Sequence, residues 1–150
     1  KITLAGRNIN DSMTAKIYQI IKKKLLEIKS IKTKKILVCG LTYKEDTNDT
    51  RNSPTLDLIK LLWKKSSRIS VYDPWVKKIN LHSKKIKLVN IPDFKHDIII
   101  FTVAHKIFKK IDLGKINKKT KVFDLNNCVS INQINRLKRK KIQINILGRN

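Results

Sequence analysis

The chain has 150 residues, 35 Lys plus Arg against 11 Asp plus Glu, and a formal charge of +24. With 41% apolar residues it can close one core of ordinary size, which excludes a fully disordered basic tail. Lys interrupts nearly every hydrophobic run, so no stretch approaches the roughly 18 consecutive apolar residues of a membrane span.

Met13, Ile17, Ile20, Ile21, Leu25 and Ile28 recur at helical spacing behind the capping candidates Asn10, Asp11 and Ser12. This predicts a long amphipathic helix from Asn10 to about Lys29. Because the pattern begins almost at once behind a first residue that is Lys, the chain reads as a piece of something longer, and nothing at its start has the zones of a secretion signal. Ile36 to Cys39 is a short apolar run halted by Gly40, the mark of a buried strand. A polar loop from Leu41 to Asn52 follows. Ser53-Pro54 has the form of a cap with Pro at the first helical position, and Leu56, Ile59, Leu62 and Trp63 supply one apolar face of a second helix.

The alternation continues. Ile69 to Tyr72 is a strand ended by Asp73-Pro74, Ile86 to Val89 is a weaker candidate, and Asp97 to Val103 is the clearest strand of all. Lys121 to Leu125 and Ile142 to Leu147 are two further candidates, with a capped helix from about Ser130 to Lys138 between them. Strands that are apolar throughout and alternate with helices predict a small doubly wound α/β domain, Rossmann-like, with a parallel sheet covered on both faces. The division expected is a helical region over residues 1–33 and an α/β domain over residues 34–150.

The charge raises nucleic acid as a partner, since phosphate neutralisation drives such binding. The excess is 29 Lys against 6 Arg, and it accompanies 24 Ile and 13 Asn, residues with codons rich in A and T. Base readout and bidentate phosphate contacts favour Arg, and these cations are scattered rather than gathered with aromatics. A basic, non-enzymatic nucleic-acid-binding protein is therefore the alternative reading, not the leading one. Cys39 and Cys128 form no CxxC pair, so neither a disulfide framework nor a metal site is indicated, and a reducing, cytoplasmic setting fits.

Open parallel sheets bind ligands beyond the carboxyl ends of their strands, which directs attention to the loop after the first strand. In this Lys-rich chain the loop carries Glu45, Asp46 and Asp49, and Arg51 closes it ahead of the Ser53-Pro54 helix start. Lys44 and Arg51 are cations able to reach an anion at that helix start. After Gly40 the loop has no further glycine, so the GxGxxG dinucleotide turn is absent.

These residues carry a resemblance. Gly40-Leu41-Thr42-Tyr43-Lys44-Glu45-Asp46 with Asp49-Thr50-Arg51-Asn52-Ser53, followed by Val71-Tyr72-Asp73-Pro74-Trp75-Val76, resembles the UDP-binding C-terminal domain of the UDP-glucose/GDP-mannose dehydrogenase family. Leu4-Ala5-Gly6-Arg7-Asn8-Ile9-Asn10-Asp11 looks like the start of that family's central helix. Val103-Ala104-His105 with Phe108, and Val122-Phe123-Asp124-Leu125, are similar to the branch that oxidises UDP-N-acetylhexosamines, of the Vi-polysaccharide type.

The resemblance implies an NAD-dependent, four-electron oxidation of a UDP-sugar at C6 to a uronic acid, through a cysteine-bound thioester, for polysaccharide biosynthesis. It places NAD and the thiol nucleophile on regions this chain does not match, so the chain is not expected to turn over alone. It implies that Tyr43 and Lys44 contact the UDP-sugar, with Arg7 and Asn10 near the substrate or a subunit interface, and that Arg51 reaches the cofactor side. It also implies a homodimer built through the N-terminal helix, and no specific nucleic acid or membrane partner.

Duller roles compete for each residue. Arg51 can pair with Glu45, Asp46 or Asp49 and brace the loop. Asp73 reads as a strand-ending Asp-Pro turn. Cys39 and Cys128 read as inert thiols, Trp63 and Trp75 as packing or interface residues, and His105 as a lone structural histidine with no acid partner.

Overall fold

A computed structural model describes residues 16, 19–21, 23–25, 27–28, 31–65, 68–79 and 86–147. The chain falls into two compact units, Lys1–Ile31 and Lys32–Asn150. In the first, Lys16, Gln19 to Ile21 and Lys23 to Leu25 are helical, and Ile21 and Leu25, one turn apart, are buried. The bond from Glu27 N–H to the Lys23 carbonyl at 3.1 Å continues that turn. The expected start of this helix at Asn10, and its end at Lys29, lie outside the described residues.

The second unit is built on six parallel strands: β1 (Lys35–Cys39), β2 (Arg68–Tyr72), β3 (Ile86–Val89), β4 (Ile98–Phe101), β5 (Lys121–Asp124) and β6 (Gln143–Ile146). Their order across the sheet is β3-β2-β1-β4-β5-β6. The central strands are apolar because both faces are covered: Ile36 to Cys39 and Ile98 to Phe101 are buried without interruption, and Val38 lies level with Val71 on one side and Ile100 on the other. At the edges, β3 and β6 are half-buried and carry Lys87 and Gln143 exposed.

Among the described residues two α-helices flank the sheet. Helix α1 (Pro54–Lys65) starts as the Ser-Pro pair predicts: the Thr55 N–H approaches the Ser53 hydroxyl at 3.3 Å, and Leu58, Ile59 and Leu62 are buried. Helix α2 (Ile131–Arg139) opens on a capping box, with Ser130 accepting from Gln133 N–H and the Gln133 side chain accepting from Ser130 N–H. Its Ile134 and Leu137 join Leu37, Cys39, Ile99, Phe101 and Val122 in one core. The β1 to β2 connection runs one way across the sheet and the β5 to β6 connection the other. Right-handed crossovers therefore put α1 and α2 on opposite faces.

Two expectations need correction. The strand predicted to reach Val103 ends at Phe101, because the Thr102 hydroxyl turns back onto the carbonyls of Cys39 (2.9 Å) and Gly40 (2.8 Å). Strands and helices do not alternate throughout either. Between β4 and β5 the chain forms only a 3-10 turn at Lys106–Lys109, which buries Phe108 against Phe101 and Tyr72.

Candidate functional site at the carboxyl edge of the sheet

Strands β1 and β4 are neighbours whose onward connections leave in opposite directions, so the chain ends that follow them diverge and leave a crevice between. Three segments meet there: residues 40–53 after β1, Asp73 after β2, and residues 102–105 after β4. Gly40 makes their approach possible. Its φ is +104°, and a Cβ on it would lie 2.8 Å from both the Cβ and the backbone nitrogen of Val103.

The loop beyond Gly40 is tied down along its length. Leu41 N–H donates to the Asp73 carboxylate at 2.6 Å, Tyr43 N–H donates to the Asp49 carbonyl at 2.8 Å, and the Ser53 hydroxyl lies 3.3 Å from the Thr42 carbonyl. The Lys44 carbonyl accepts from the hydroxyls of Thr42 (2.6 Å) and Thr47 (3.1 Å). The Lys44 backbone is thereby fixed while its side chain stays exposed. Tyr43 beside it is 46% exposed despite its large ring.

Arg51 lies on the same loop but is already engaged. Its guanidinium makes a two-pronged contact with Asp49, Nε to Oδ1 at 3.0 Å and a terminal nitrogen to Oδ2 at 2.9 Å. Those hydrogen bonds hold the Asp49 carboxyl down at about 2. The loop-bracing role weighed for Arg51 is the one this geometry displays. Arg7 and Asn10 lie outside the described residues.

His105, expected to stand without an acid partner, has one in Asp73. The imidazole is fully buried, with Nε2 3.1 Å from the Asp73 carboxylate, and Nδ1 accepts from Asp46 N–H at 2.9 Å. The strand order makes this pairing. Asp73 and His105 each lie a few residues beyond the two strands that flank β1, so folding places them on either side of the Gly40 loop. Only their shared position after a strand end could have signalled it from sequence.

Asp73 forms the Asp-Pro turn expected of it, accepting from Trp75 N–H (2.8 Å) and Val76 N–H (3.2 Å), while its other oxygen serves Leu41 and His105. Burial alone would push its carboxyl up. The hydrogen bonds from His105, Leu41 and Trp75 overcome that and leave it below the ordinary value, so it is held as a carboxylate. Asp46 is likewise lowered, against its own desolvation, by Lys106, whose N–H and ammonium contact it at 3.2 Å and 3.5 Å.

Both thiols are free and buried, and burial pushes each upward, with Asp73 adding to it at Cys39 and Asp124 at Cys128. Neither is a thiolate at neutral pH. Trp75 is half exposed at the same edge, and Trp63 is partly exposed on α1. Among the described residues no helix is long and apolar enough to cross a membrane.

Residues 37–131, from β1 through the loop, Asp73 and His105 to the start of α2, match the UDP-glucose/GDP-mannose dehydrogenase family, UDP binding domain. The chain is 35% identical over 121 residues to a UDP-N-acetyl-D-glucosamine 6-dehydrogenase of Pseudomonas aeruginosa, covering 79% of this chain and 29% of that protein. It is 36% identical over 122 residues to a UDP-N-acetyl-D-mannosamine dehydrogenase of Campylobacter jejuni, covering 77% of this chain and 29% of that protein. The structure of a UDP-D-ManNAc dehydrogenase from Pyrococcus horikoshii superposes with a TM-score of 0.66 at 25% identity, over 95% of this chain and 32% of that one. The chain thus spans about a third or less of the length of the relatives it matches. With strands β2 to β5, the Gly40 to Ser53 loop and the Asp73 turn all inside the matched region, the chain belongs to the UDP-glucose/GDP-mannose dehydrogenase family and carries its UDP binding domain.

Proposed function

We propose that this chain is the nucleotide-sugar-holding part of an NAD-dependent 6-dehydrogenase that oxidises a UDP-N-acetylhexosamine to its uronic acid for polysaccharide biosynthesis in the cytoplasm. The observation that carries the reading is the Lys44 strap: a backbone fixed by two hydroxyls at the Lys44 carbonyl, with Tyr43 and Lys44 exposed side by side at the crevice edge. Lys44 meets the pyrophosphate as a mobile point charge and Tyr43 contacts the sugar nucleotide. Arg51, by exchanging Asp49 for an anion, faces the cofactor side. Arg7 and Asn10 stand near the substrate or the subunit interface, and the helical region over residues 1–33 joins two copies into a dimer. Because both thiols of the chain are buried and protonated, the nucleophile that carries the thioester comes from outside these 150 residues. NAD, which accepts the hydrides, is held mainly by that same outside part.

Calorimetric titration of the chain with UDP tests this reading. Lys44→Ala should weaken binding about tenfold, the size of one lost charge-assisted hydrogen bond. Lys138→Ala, in the exposed last turn of α2 at the opposite edge of the sheet, should leave it nearly unchanged. Equal effects of the two substitutions would remove the loop from the site.

A further inference from the structure

His105 packs edge-on against Phe108, and its side-chain polar contacts are with Thr42 and Asp46 of the loop that carries Lys44 and with Asp73, which itself receives the Leu41 amide of that loop. We propose that His105 is a positioning residue: a neutral imidazole, held in one tautomer, that sets the Lys44 strap against the ends of β2 and β4. The inference rests on the proposed function only for its consequence in ligand binding.

The tautomer follows from the donors. Asp46 N–H donates to Nδ1 at 2.9 Å, so Nδ1 carries the lone pair and the ring proton is on Nε2. That proton faces the Asp73 carboxylate at 3.1 Å. Thr42 Oγ1 lies 3.3 Å from Nε2 and gives its own proton to the Lys44 carbonyl. One relay therefore runs from the Asp46 amide through the imidazole to Asp73, and Asp73 in turn receives the Leu41 amide. The charged groups facing the ring are Asp73 and, at 3.8 Å from Nδ1, Asp46, while Phe108 lies edge-on at 5.3 Å and restrains the ring plane.

A second observation points the same way. Asp46 has φ of +53°, a left-handed conformation that is uncommon outside glycine, less so for Asp, and that contacts at this residue help to impose. The imposing contacts are His105 on its amide and Lys106 on its carboxylate. Both come from the segment after β4. Without the acceptor at Nδ1, Asp46 can relax toward an ordinary conformation, and the turn from Tyr43 to Asp49 relaxes with it.

Three measurements on the isotope-labelled chain decide the matter. A nitrogen–proton correlation spectrum at neutral pH should give His105 a protonated Nε2 and an unprotonated Nδ1, and the reverse assignment overturns the proposal. Amide exchange should separate two variants: His105→Asn keeps an acceptor near the Nδ1 position, whereas His105→Gln puts its amide at the Nε2 position only. His105→Gln should speed exchange at Asp46 about tenfold while Val38 and Ile100 in the sheet stay protected, and His105→Asn should restore the loop. Unchanged exchange at Asp46 in His105→Gln overturns the positioning role, as does equal loss of protection in loop and sheet. UDP affinity should fall in His105→Gln and recover in His105→Asn. Affinity that ignores the loss of loop protection overturns the link to Lys44. A parent chain that takes up no UDP sinks the proposed function instead, and the tautomer and exchange results still decide what His105 does.

Discussion

Gly40 has to be glycine for two separate reasons: its φ of +104° and the absence of room for a Cβ against Val103. Gly40→Ala should destabilise the chain by about 2–4 kcal/mol, adding left-handed strain to overpacking at a site where the neighbour is backbone. Urea unfolding followed by far-ultraviolet circular dichroism measures it, and a loss below the ordinary surface-substitution range would mean the β1 and β4 ends can separate freely. The apolar run halted by glycine marks the strand end in the sequence, but not the clash that keeps it there. Arg51 and His105 divide in the same way. The acids near Arg51 lie within six residues of it and announce the ion pair, whereas Asp73 and His105 are 32 residues apart and meet only because β2 and β4 both flank β1.

At the scale of elements, local chemistry and periodicity were enough wherever a segment has its own start signal or is buried on both faces. Ser53-Pro54 begins α1, the Ser130 to Gln133 capping box begins α2, and the unbroken Ile98 to Phe101 run is β4. Ser130→Ala should cost about 1 kcal/mol, because it leaves Gln133 N–H without its acceptor. Gln133→Ala should cost more than Ser130→Ala does, since the same side chain also donates to the carbonyls of Phe108 (2.8 Å) and Ile111 (2.7 Å). Thermal unfolding of the two variants reads the difference, and equal shifts would remove that bridge from the account. The segment between β4 and β5 was illegible as an element, since its 3-10 turn is held by Phe108 packing on Phe101, Tyr72 and His105 rather than by any periodic stripe.

At the scale of the whole molecule, a charge of +24 spread over 150 residues opposes the compact state through self-repulsion. The ion pairs that offset it, such as Arg51–Asp49, Lys60–Asp57 and Arg136–Asp112, are largely exposed and contribute little each. Added sodium chloride should therefore raise the melting temperature, because screening relieves more repulsion than attraction. A scan from low to physiological salt tests it, and a falling melting temperature would mean that the ion pairs outweigh the repulsion. The strand order decides where the loop and the Asp73–His105 pair that holds it lie, and α1 and α2 sit on opposite faces because their crossovers leave the sheet in opposite directions. Sequence by itself determined the strands, the capped helices, the family and the loop that carries Tyr43, Lys44 and Arg51, since burial, capping and motif spacing are local properties of the chain. Only the tertiary structure decided that Asp73 and His105 grip that loop, because a hydrogen bond between residues far apart in sequence exists only once the sheet has brought the ends of β1, β2 and β4 together.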